Sequence, residues 1–206
     1  MIAGLAVAVI AVTVLIVVLV TRGPGPKPVA SATPTATPAP TPVPTPLAAV
    51  AAGVTGEAID GIQCQTNEQI AHHIHAHVAI FVNGSERSIP EGVGITPPLS
   101  KISTNEGPYV ESGKCFYWLH THTDDGIVHV ESPDQSNLSL GQLFDLWQQP
   151  LAASEVGPAA GPLFIYVDGK KFTGDPRSIA FTPHELIQLD VATDVPPKAF
   201  TFPPGL

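Results

Sequence analysis

Sulfur ligands and positive charge are both scarce in this chain. Its 206 residues hold two cysteines and a single methionine, and that methionine is Met1. A thioether site selective for Cu(I) therefore has no ligands in the body of the chain. Nine Lys and Arg stand against eighteen Asp and Glu, for a net charge of −9. A surface of that sign excludes nucleic acid as a partner, because phosphates demand Lys and Arg. No glycine-rich phosphate loop and no internal repeat occurs, which removes the nucleotide-binding and solenoid classes.

What the chain does contain is unevenly distributed. Residues 2–20 are an apolar run interrupted only by Gly4 and Thr13, and about 20 such residues span a bilayer as a helix. A signal-peptide core is shorter, about 7–15 residues, with a cleavage site close behind. Here Thr21-Arg22-Gly23-Pro24 follows directly, so residues 1–21 read as an uncleaved transmembrane signal-anchor. Residues 22–56 are mostly Pro, Thr, Ala, Val and Gly, with Thr-Pro repeats from Thr33 to Pro46. Such a composition builds no packed core and favours extended polyproline II, a semi-rigid stalk. The remaining residues, 57–206, are enough for one hydrophobic core and carry every acidic residue of the chain.

Two signals conflict over orientation. Arg22 and Lys27 follow the anchor, which by the positive-inside rule places the domain in the cytoplasm. The Thr/Pro stalk and the cysteine pair point outward, since Cys64 and Cys115 suit one disulfide and disulfides persist in oxidising compartments. The reading adopted is a single-pass cell-membrane protein with its domain on the extracytoplasmic side.

Seven of the eight histidines fall in two short stretches. In His72-His73-Ile74-His75-Ala76-His77, the residues Ile74, Ala76, Val78, Ile80 and Val82 alternate as an apolar face, and His73, His75 and His77 form the opposite one. Asn83-Gly84 then reads as a tight turn. In the second stretch, Trp118, His120 and His122 alternate with Tyr117, Leu119 and Thr121. Asp125-Gly126 suits a two-residue hairpin turn leading into Ile127-Val128-His129-Val130-Glu131. That turn places His122 opposite His129 and His120 opposite Glu131. A turn at Asp124-Asp125 places His120 opposite His129 instead. Opposed residues share a face with Cβ atoms about 4.5–5.5 Å apart, within reach of one ion. The same parity turns Cys115 away from His120, so a blue-copper site with a cysteine ligand does not fit.

Elsewhere, Ser139-Leu140-Gly141-Gln142 has capping-box spacing, and Leu140, Leu143, Phe144 and Trp147 follow as one short amphipathic helix ending before Pro150. Leu163–Phe172 reads as a hairpin turning at Asp168-Gly169, and Ile187, Leu189 and Val191 alternate as a last strand. Hairpins with one helix predict a mainly β fold, an antiparallel sandwich or small barrel.

Imidazole sites suit zinc or copper, so the metal ligands expected are His73, His75, His77, His120, His122 and His129, with Cu(II) or Zn(II) as the ion. The first function expected is binding of that ion outside the cell. The alternative is a three-histidine metalloenzyme, a zinc hydrolase or a lyase of the carbonic-anhydrase type. Glu131 is then the catalytic candidate, with Asp124 or Asp125 assisting. The third is a surface adhesion or scaffold module whose histidines sense pH. The cupin pattern, His-x-His followed by glutamate after three or four residues, fails because Gly126 and Ile127 stand there. His72 reads as exposed, and His184, in Thr182-Pro183-His184-Glu185, as a turn residue.

Overall fold

The computed structural model describes residue 23, residues 44–104 and residues 107–206. The expected anchor at 1–21 and most of the stalk lie outside these, and among the described residues no helix is long and apolar enough to cross a membrane. One compact unit runs from Pro42 to Leu206. Thr45–Pro46 is a short strand against Ser85–Ser88, and Leu47 N–H donates to Ser88 O at 2.9 Å. Leu47, Val50 and Ala51 pack on the core and Val54 is buried in it. The apolar end of the Pro/Thr-rich stretch thus belongs to the fold.

His72–Val82 organises the largest sheet. Its first half pairs antiparallel with Ile127–Ser132, and residues 80–82 pair with Ser85–Ser88 across a two-residue turn. Asn83 and Gly84 both take positive φ there, 52° and 77°, as that turn demands. Residues 77–82 also pair with Leu186–Val191, in parallel. That strand pairs antiparallel with Leu163–Val167, which turns back at Asp168-Gly169 (φ 50° and 72°) into Lys170–Phe172. Leu119–His120 adds to the far side of Ile127–Ser132. The sheet is open and mixed, with three smaller sheets around it. The fold is mainly β with one α-helix among the described residues, as expected, but the antiparallel sandwich or small barrel is corrected to an open mixed sheet. The strands alternate locally as expected, but 186–191 arrives by a long crossover and runs parallel to 77–82, and no barrel closes among the described residues.

The single α-helix among the described residues, Leu140–Trp147, forms where the capping box places it: Ser139 and Gln142 exchange side-chain and backbone hydrogen bonds. Leu140, Leu143, Phe144 and Trp147 are wholly buried in the same core as Ala76, Val78, Val128, Val130 and Leu119. Trp147 Nε1–H donates to Ala49 O at 3.0 Å, which satisfies its one polar atom. Thus one face of the three strands carrying the histidines is sealed by core, and side chains of the other face are left to do chemistry.

Candidate metal centre

Register puts the ligand types together. His75 lies opposite His129, and His129 lies opposite His120, so three neighbouring strands present one row of imidazoles. His73 lies opposite Glu131 in the next row. His122 joins from the loop beyond His120. Of the two registers read from the sequence, the structure has the one with His120 against His129; the Asp125-Gly126 two-residue turn is corrected. The strand stops at His120 because other segments take the following backbone. Thr121 N–H donates to Val93 O at 3.0 Å, its hydroxyl donates to Pro90 O at 2.7 Å, and His122 O accepts from Val110 N–H at 2.9 Å. Of the pair at the expected turn, only Gly126 has positive φ.

Two histidine groups result. Ligand atoms of His120, His122 and His129 lie within 4.8 Å of one another, as do those of His73, His75 and His129. Glu68, His120 and Glu131 form a third such set. His120 Nδ1 sits 2.9 Å from Tyr117 O, and His122 Nδ1 bonds Val110 O. A ring nitrogen facing a carbonyl must be the N–H, so each Nε2 carries a lone pair directed into the cluster. His122 Nε2 is 3.4 Å from Glu68 Oε1, and His120 Nε2 is 4.0 Å from the same oxygen. Neither His120 Nε2 nor Glu131 Oε2 has a hydrogen-bond partner, though both are buried. A buried polar atom left unpaired costs about 1–3 kcal/mol, and a metal ion would satisfy both. The ring of Tyr109 stacks on His122 at 4.5 Å and 2°, which fixes that side chain's plane.

Burial keeps the rings neutral, the form that binds metal. It lowers His120 to about 3, helped by repulsion from His122 and His129. It lowers His129 to about 2, with His122, His75 and His73 adding to the effect. His75 falls to about 4 through burial and then His73. Burial, and then the Glu131 charge, raises the Glu68 carboxyl above the ordinary range. These shifts set a pH dependence for protein treated with chelator. Between pH 6.5 and about 4 the unfolded chain takes up protons on these histidines and the folded chain does not. Stability therefore falls as pH falls across that window, by up to about 1.4 kcal/mol per pH unit for each ring kept neutral. Urea midpoints from pH 7.5 to 4.5 should drop steadily, and a flat profile would mean that the rings are solvated.

Gly94 holds this site from beneath. A Cβ there would come within 2.0 Å of Leu119 O and 3.0 Å of His120 Cα, and its φ is +72°. Gly94→Ala should cost at least the roughly 1–3 kcal/mol of left-handed strain and displace His120. Denaturation midpoint and metal content should fall together.

Not every expected residue reaches the cluster. His77 is buried but stands apart: its Nε2 is 3.1 Å from Asp125 O, and its ring stacks on Phe200 at 3.6 Å. His184 has φ 59°, with Nε2 3.0 Å from Leu206 O. His72 pairs with Ser132 at the strand start, outside the three groups. Asp125 accepts from Ile127 N–H at 3.0 Å as a turn residue, and Asp124 is exposed. Glu131 lies inside, 3% exposed, against His73, His120 and His129. Glu68 and Tyr109 are residues the sequence reading missed. A signal for Glu68 existed: Cys64 and Cys115 are disulfide-bonded, and a bridge at residue 64 carries residue 68 toward the histidines that follow Cys115.

No protein-family model matches the chain, and neither a curated protein nor a solved structure matches it. Fold and site define a class only: a mainly β protein whose buried His/Glu groups can hold a metal ion.

Proposed function

We propose that the chain is a membrane-anchored, extracytoplasmic binding protein for a transition-metal ion, Cu(II) or Zn(II), held by His120, His122 and His129. The observation that carries this reading is His120 Nε2, an orphaned, wholly buried nitrogen whose tautomer is set by Tyr117 O. His122 and His129 bring the set to three imidazoles, with Glu68 as an oxygen donor at the edge. Two nitrogens on one tetrahedral ion at 2.0–2.1 Å stand roughly 3.3 Å apart, close to the 3.4 Å between His122 and Glu68. The apolar run at 2–20 supports the anchor, and the disulfide supports the oxidising side of the membrane.

The test uses full-length protein in detergent, equilibrated with Cu(II) or Zn(II) and then dialysed. Metal should remain bound, the His122→Ala/His129→Ala double variant should lose it, and His77→Ala should keep it. Protein that stays metal-free after both ions would sink the proposal.

A three-histidine enzyme is the second reading, favoured by one observation. Glu68 is about one-third exposed beside the ligand nitrogens, with its carboxyl raised, which suits proton transfer better than the buried Glu131. CO2 hydration or ester hydrolysis by the loaded protein, lost in Glu68→Gln with metal retained, would move the conclusion to catalysis.

A further inference from the structure

We infer that the cluster takes two ions, with the Glu131 carboxylate bridging them and His73 and His75 holding the second. The inference rests on the metal-binding reading above and goes beyond it in nuclearity. Glu131 faces the two histidine groups with different oxygens. Its Oε1 lies 3.0 Å from His73 Nε2 and 3.3 Å from His129 Nδ1, while Oε2 lies 3.8 Å from His120 Nε2. His73 Nε2 is also 3.0 Å from His75 Nε2. His73 Nε2 thus stands 3.0 Å from both His75 Nε2 and Glu131 Oε1. The 3.0 Å separations match the roughly 3.3 Å expected of two ligands on one tetrahedral ion. On the other side stand His120, His122 and Glu68: His120 Nε2 is 3.8 Å from Glu131 Oε2, and both it and His122 Nε2 face Glu68 Oε1.

A second, independent feature is the charge balance. Glu131 is 3% exposed, and its only ion-pairing neighbours among the described residues are His73, His120 and His129. No Lys or Arg pairs with it there. A buried carboxylate costs several kcal/mol unless a cation is beside it. A lone ion bound by His120, His122 and His129 leaves His73, 3.0 Å from Oε1, with no cation of its own. Paired ions give each oxygen one. Carboxylate-linked sites of this kind hold their ions about 3.5–4 Å apart, a spacing that one carboxylate's two oxygens can span.

Cu(II) is the probe. Full-length protein in detergent is saturated with Cu(II), freed of excess by desalting, and assayed for copper per chain and by EPR. The expected result is two Cu(II) per chain with dipolar broadening and a half-field transition. His73→Ala/His75→Ala should then hold one Cu(II) with an isolated mononuclear spectrum. His73→Ala alone, a ring 39% exposed and safe for folding, should weaken the second equivalent at least tenfold while the first is unchanged. One Cu(II) per chain, unaltered in amount and spectrum by either variant, would overturn the inference and leave the single-ion reading standing. Two magnetically independent ions would overturn the Glu131 bridge. No bound copper or zinc at all would sink both readings together.

Discussion

Reduction of the Cys64–Cys115 disulfide is expected to lower the stability of the fold by about 4 kcal/mol and to weaken metal binding with it. The bridge closes a loop with a sequence separation of 51, and in the chain-entropy model such a loop corresponds to about 4 kcal/mol. Domains are stable by only about 5–15 kcal/mol, so the loss is a large fraction of the total. The site suffers for a local reason as well. Cys64–Gln65 pairs with Phe116–Tyr117, and the Trp118 indole donates to Gln65 Oε1 at 2.8 Å. These bonds hold Glu68 against His120 and His122. Guanidinium midpoints with and without reductant measure the effect, with Cys64→Ser/Cys115→Ser as the permanent version. An unchanged midpoint would mean that the surrounding packing alone holds the 64–68 segment.

The second large effect is stabilisation by the ion. A ligand present at about a thousand times its Kd stabilises the native state by about 4 kcal/mol. A domain of this size gains roughly 2–4 °C in Tm per kcal/mol, so saturating Zn(II) should raise the melting temperature by about 8–16 °C. His120→Ala should remove the shift entirely, since it deletes the nitrogen whose burial is otherwise uncompensated. His77→Ala should retain it, because His77 is occupied by Asp125 O and Phe200. The shift should persist below pH 6, because burial holds His120, His122 and His129 neutral in the folded chain past the ordinary histidine range. If Zn(II) moves the melting temperature of His120→Ala as far as that of the native chain, the ion binds elsewhere.

Local features of the fold were the legible ones. Period-two alternation in Ile74 to Val82 gave both the strand and its two faces, because a strand half-sealed by core must alternate. The helix at 140–147 announced itself through Ser139, Gln142 and its apolar spacing, and the turns at Asn83-Gly84 and Asp168-Gly169 through residues that tolerate positive φ. What depended on distant partners was not legible. Asp125-Gly126 carries the same turn signature, but Gly92, Val93 and Val110 take the backbone bonds of Thr121 and His122 that a tight hairpin needs. The parallel pairing of Leu186–Val191 with His77–Val82 leaves no local trace, since both strands read alike in either direction. Parity placed His77 on the correct face without revealing that its end of the strand lies beyond the cluster. Glu68, in a loop with no periodicity, became visible only through the cysteine pairing.

Ligand counting tests the metal centre most directly. Full-length protein loaded with one equivalent of Cu(II) and measured by EPR, or with Zn(II) by X-ray absorption, should show at least three nitrogen donors from imidazole. A spectrum with one nitrogen or none, and oxygen donors in their place, would contradict the convergence of His120, His122 and His129 on an ion.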